Sequence, residues 1–224
     1  MNLKTILLVS FSLATQIGFS QVANYESNNR FVEANAKAPE KKPTGSQYIN
    51  EKFVPGSYLN NSQIILLRYN AYADQVEFKD SNDENKYLVP NKGVQLITSD
   101  KKNIYIYEDY STEKEGNKTG YLNLISENGQ VKIYSRTKIY LKAETQSTNG
   151  YQTAKPAGYK KAETEYYIKV KEQPIVFLPS NKKELYKLFP GKEKEVTEYI
   201  KSNKISLDKE EDLKSLGSFL NTIL

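Results

Sequence analysis

The chain has 224 residues and a formal charge of +5, from 32 basic and 27 acidic side chains. It contains no histidine and no cysteine, which excludes Ser-His-Asp and Cys-His catalysis, disulfides, Cys-x-x-Cys-His haem attachment and a typical zinc site. Arginine occurs only at Arg30, Arg68 and Arg136, and the lysines are interspersed, so no nucleic-acid surface is expected.

Lys4 is the one charge before an apolar run from Ile6 through Leu13, which weakens toward Phe19 and closes on Ser20 and Gln21. That order of charged, apolar and small residues is the order of a secretory signal. The run is interrupted by Ser10, Ser12, Thr15 and Gln16, and a spanning helix needs about 20 apolar residues. Residues 1–21 are therefore expected to be a signal peptide, and the product to be exported to the periplasm or beyond. Residues 22–44, rich in Asn, Ala, Lys, Glu and Pro, read as a flexible spacer. No later segment approaches a membrane span, and no cysteine offers a lipid anchor.

Residues 45–179 carry repeated strand signals. Tyr48, Ile49, Phe53 and Val54 precede Pro55–Gly56 and suggest a first short strand and a turn. Residues 63–69 are apolar and β-branched, and 75–79 alternate Val76 and Phe78 with polar neighbours, as a half-buried strand requires. Further strands are expected at 86–89, 94–98 and 103–110; the last sets Ile104 and Ile106 on one face and Tyr105 and Tyr107 on the other. Residues 121–126 and 130–134 flank Asn128–Gly129, a strong hairpin signal because both central residues of that turn need positive φ. A strand pair is expected at 136–143 and 164–170, with a long polar loop from 144 to 163 between them, and a final strand at 175–178.

The period changes after Pro179. Asn181 with Glu184 resembles a capping box before Leu185, Leu188 and Phe189, and Pro190–Gly191 stops that turn. A second amphipathic stretch covers 192–202, and Asp208 with Glu211 signals a third before Leu213, Leu216, Phe219 and Leu220. The expected fold class is α+β, mainly β: an antiparallel sheet, sandwich or partly open barrel, with a helical tail at 180–224 packed on it. The lysine-rich strands and the amphipathic tail argue against an outer-membrane barrel.

The stretch from Leu67 to Phe78, reading Leu-Arg-Tyr-Asn-Ala-Tyr-Ala-Asp-Gln-Val-Glu-Phe, resembles a recurring group of uncharacterised exported proteins of the Bacteroidetes type. Gly45–Ser46–Gln47–Tyr48, Phe53–Val54–Pro55–Gly56, the run from Ile200 to Leu207 and the Glu-Glu-Asp-Leu of Glu210 to Leu213 add to it. The resemblance covers most of the chain after the expected signal peptide. It implies export and a β body, and no catalytic residues.

The remaining chemistry is that of carboxylates, Lys, Ser, Thr and Tyr. Asp80, Asp83 and Glu84 could offer oxygen ligands to calcium, but they lack EF-hand spacing and read more simply as a solvated turn. In one extended strand, Arg68, Asn70, Tyr72 and Asp74 would share a face by period-two geometry. That stripe is either the polar wall of a ligand cavity or an internal Arg–Asp network. Tyr151 after Gly150 and Tyr159 after Gly158 are candidate contact anchors on the long loop. No cofactor or metal is expected. The leading expectation is a non-catalytic envelope protein that binds a ligand or partner. The alternatives are a carboxylate-dependent glycan hydrolase and an accessory subunit of an envelope complex.

Overall fold

Alternating apolar residues separated by turn formers fold between residues 54 and 177 into ten strands of one sheet. The computed structural model describes residues 42–59, 63–100, 102–126, 129–146 and 153–224. The expected signal peptide, nearly all of the expected spacer and Asn128 of the hairpin signal lie outside the described residues. Strands β1 (Val54–Tyr58), β2 (Ile65–Asn70), β3 (Gln75–Lys79), β4 (Asn85–Tyr87) and β5 (Gln95–Thr98) form one half of the sheet. Strands β6 (Ile104–Ser111), β7 (Asn117–Leu124), β8 (Val131–Lys142), β9 (Gly158–Val170) and β10 (Ile175–Phe177) form the other.

The strand order is β10-β9-β8-β7-β6-β5-β1-β2-β3-β4, and β10 also pairs with β6 in parallel, so that β6 to β10 close into a small ring. The fold is mainly β, a sheet that closes on itself and carries short C-terminal helices. One edge of β6 is shared: residues 104–106 pair with β5, and Tyr110 and Ser111 pair with β10. A register shift between Thr137 and Ile139 bends β8 at its middle. The distal half of β8 then leans toward β2, and the Ile139 N–H donates to the Ala71 carbonyl at 3.3 Å. A second ring results, running from β2 through β1, β5, β6 and β7 to β8.

Three expectations about the strands are corrected. Pro55–Gly56 is not a turn but the middle of β1, where Pro55 faces Leu66 and its carbonyl accepts the Ser99 N–H. The two strands expected at 130–134 and 136–143 are one bent strand, β8. The second part of the expected loop, from Gly158, is the outer half of β9; Lys160, Lys161 and Glu163 show water no apolar alternation, so the period signal is missing.

The helices α1 (Lys182–Tyr186), α2 (Glu193–Ser202) and α3 (Glu210–Ile223) lie on β8 and β9. Val196, Ile200, Leu213, Leu216 and Leu220 are completely buried against Val131, Ile133 and Ile168. Such burial is what holds helices this short. Asn181 caps α1 by accepting the Lys183 N–H at 2.9 Å. Asp208 does not cap α3: its carboxylate takes the Ser206 hydroxyl, and Lys209 stands at the cap position. Gly217 lets α3 approach closely, since a Cβ there would lie 2.7 Å from the Ser126 Cβ. Beside it, the Asn221 carboxamide accepts the Val131 N–H at 2.7 Å and donates to the Val131 carbonyl at 3.0 Å, as a neighbouring strand would.

Candidate functional site

Two polar clusters organise the second ring, and they divide the residues expected to form one stripe. β2 ends at Asn70, and a turn through residues 71–74 precedes β3, so the period-two face stops there. Arg68 and Asn70 point to one side of the sheet, where Glu77 sits opposite Arg68 and is almost wholly buried. Arg68 donates to Glu77 through Nε at 2.9 Å and Nη2 at 2.7 Å, and Asn70 donates to the same carboxylate at 3.3 Å. The acid that meets Arg68 is therefore Glu77, and the expected stripe with Asp74 does not form.

This cluster fastens the segment 44–53 across the sheet. Thr44 bridges to Gly158 of β9, and Tyr48 bridges to Asn70 of β2, so the segment forms a strap between the two. The Tyr48 hydroxyl accepts from Arg68 at 2.8 Å and donates to Glu77 at 2.9 Å. Burial, then Glu77, pushes its phenol pKa up. The Arg68 guanidinium lies 3.8 Å from the Tyr48 ring centre and 4.4 Å from that of Phe53, so the cation is held between two aromatic faces.

Asp74 serves the other side. Its φ of +54° is a conformation that Asp tolerates. Its carboxylate accepts from the Tyr69 hydroxyl at 2.6 Å, the Tyr121 N–H at 3.3 Å and Arg136 Nη2 at 3.2 Å. Gly120 makes room for it, because a Cβ there would collide with Asp74 Oδ2. Burial, then Asp74, pushes the Tyr69 phenol well up. Burial lowers the Arg136 pKa, but Asp74 and the phenols of Tyr110 and Tyr69 outweigh it and hold the guanidinium charged. Arg136 Nε is buried with no hydrogen-bond partner.

A two-lobed cleft opens beside this hub. The inner lobe, about 60 Å³, is lined by Tyr105, Tyr121, Asn123 and Arg136. The outer lobe, about 190 Å³, adds Arg68, Thr98, Asp100 and Lys102. Tyr69, Asn103 and Tyr105 line both lobes. The strap contributes one wall, with Ile49 on the inner lobe and Asn50 and Lys52 on the outer. The tyrosines are a connected cluster, with Tyr69 5.2 Å from Tyr105 and 6.0 Å from Tyr121 between ring centres. Burial, then Asp100, pushes the Tyr105 phenol up to about 12, and burial does the same to Tyr121.

No family model, curated protein or solved structure matches this chain. The cleft's chemistry is thus read from its own residues.

Tyr72 and Tyr159, expected in separate places, meet edge to face with centroids 5.1 Å apart. Tyr151 lies outside the described residues. The acidic group 80–84 is a turn in which Asp80 accepts the N–H groups of Asn82 and Glu84, and Lys86 pairs with both acids. Among the described residues no group of three acidic side chains is placed to hold a metal ion, and no helix is long and apolar enough to cross a membrane. A hollow of about 310 Å³ lies by Tyr110, Thr119 and Ile175, and two still larger ones are also more open to solvent than the cleft. One, about 540 Å³, collects Glu113, Glu163, Glu165 and Asp208 beside the helices, but Glu165 is already engaged by Lys138 at 3.2 Å and by the Tyr167 hydroxyl at 2.7 Å. The other, about 730 Å³, is a surface trough by Leu59, Val89 and Pro90.

Sequence reasoning missed Tyr48, Glu77, Tyr105, Tyr121 and Arg136 as members of these clusters. Two signals were present: Tyr105 alternates with the core residues Ile104 and Ile106, and Arg136 is one of only three arginines.

Proposed function

We propose that this chain is an exported, non-catalytic binding protein of the cell envelope, and that the tyrosine cleft holds its ligand, a saccharide. The observation that supports this best is Arg136: a largely buried, charged guanidinium that lines the cleft in a wall of tyrosine rings and carboxamides. The part of the guanidinium that lines the cleft can donate to a ligand oxygen, and a charge-assisted bond is stronger than a neutral one. Tyrosine offers an apolar face and a polar tip, the combination that a sugar ring needs from its site. The outer lobe, of about 190 Å³, has room for one ring, with further units running out past the strap.

The chain has 18 tyrosines and no tryptophan, so tyrosine fluorescence reads binding directly. Titration with a panel of neutral and acidic oligosaccharides is expected to change that emission saturably. Asn103→Leu, which fills the seam between the lobes, is expected to weaken binding about tenfold with unchanged circular dichroism. Saturable binding that Asn103→Leu leaves untouched would move the site elsewhere.

A further inference from the structure

We infer that the ligand of this cleft carries an acid group, a carboxylate, phosphate or sulfate, and that Lys52 and Lys102 at the mouth read it, with Arg136 donating from the floor. The inference rests on the cleft being the binding site. Its basis is an imbalance of donors over acceptors among the lining groups.

The carboxylates and the Asn123 carbonyl are committed. Asn123 Oδ1 takes the Ile104 N–H at 2.9 Å, which leaves its amino group to face the inner lobe. Asp100 accepts the Thr98 hydroxyl at 2.6 Å and the Lys102 N–H at 3.1 Å, and the first of these holds its pKa below the usual carboxylate range. Asp74 and Glu77 lie behind the guanidiniums they neutralise. The donors are less committed. Arg136 meets Asp74 through one nitrogen only. Lys102 lies 3.7 Å from Asp100, a loose contact, and its side chain is largely exposed. Lys52 lines the outer lobe and makes no ion pair among the described residues.

Cation and donor excess around an aromatic floor suits a ligand that presents an apolar ring face and ends in anionic oxygens. Lysine supplies the long-range attraction, and a charge-assisted bond is about twice as strong as a neutral one. A neutral saccharide would leave both lysines without a role.

The test compares trigalacturonic acid, its methyl ester and inorganic phosphate on the whole chain, by tyrosine fluorescence and calorimetry, at low and high salt. The expected result is that the acid binds about tenfold tighter than the ester, and that Lys52→Gln with Lys102→Gln removes this preference. Added salt should erode the preference, since the pairs at the mouth are exposed. Both substitutions are at exposed positions and leave folding intact. If phosphate competes with the acid, the anionic oxygens alone are read at the mouth. Equal binding of acid and ester overturns the inference while the cleft remains the saccharide site. No binding of either sugar, with phosphate still bound and lost on the double substitution, keeps the anion seat and overturns the saccharide reading. No binding of any of the three probes overturns both.

Discussion

The two rings of the sheet are built from different materials. The ring of β6 to β10 is closed by strand pairing, filled by Leu122, Tyr134 and Tyr167, and roofed by three helices that bury Leu185, Ile200, Leu213, Leu216 and Leu220 completely. The ring that includes β1 and β2 is closed by a single backbone bond from Ile139 to Ala71 and by a strap. It is filled with tyrosines and the Arg136–Asp74 pair, while the Arg68–Glu77 pair fastens the strap on the opposite face of β2. The difference teaches where each task sits: aliphatic burial sets stability in the first, while polar networks in the second set shape and leave a cleft.

Breaking the second ring at its strap should cost most. Arg68→Ala leaves Glu77 buried and unpaired, and removing one partner of a buried ion pair costs about 3–5 kcal/mol. Urea unfolding should show that loss, and hydrogen exchange should place the earliest loss of protection at residues 44–53. Uniform loss across both rings would break the comparison. In the first ring, Leu216→Ala should cost about 2–5 kcal/mol through cavity formation, with lost protection centred on the helices. Gly120→Ala forces Asp74 away from Tyr69 and Arg136, at about 1–3 kcal/mol, and should lower saccharide binding as well. Asn181→Ala removes a cap and should cost about 1 kcal/mol without touching the cleft.

The tyrosines supply a test by pH. Tyr105, Tyr110 and Tyr121 are pushed up to about 12 when folded, against an ordinary value near 10. The folded chain then holds protons that the unfolded chain releases, so stability is fully present below pH ~10 and falls as pH rises toward ~12. Absorbance at 295 nm during alkaline titration should show one group of phenols ionising near pH 10 and a second ionising only with unfolding. A single phase near pH 10 with circular dichroism unchanged would show the cleft phenols to be solvated.

Much of the fold was legible because half-buried strands and helices print their period. Val76 and Phe78 alternate with polar neighbours and mark β3, and Leu213, Leu216 and Leu220 mark α3 at helical spacing. The outer half of β9 was not legible, because both its faces carry polar residues there. The site was harder to see. Arg68 and Glu77 become partners only through the register of a hairpin, and Asp74 meets Arg136 across 62 positions of chain. No local pattern encodes a contact that depends on how two distant strands close. The turn at 71–74 also defeated the period-two reading, since it throws Asp74 to the opposite face from Arg68.

Asn221 carries a consequence for how the chain reaches this state. Its carboxamide completes the hydrogen bonding of Val131 across 90 residues of chain. A chain emerging N-terminus first from a ribosome cannot finish the edge of β8 until residue 221 is free. The native state is therefore closed to partial products, and a chain shortened at residue 220 should stay soft at β8 and be cleared by proteases that spare the full-length form.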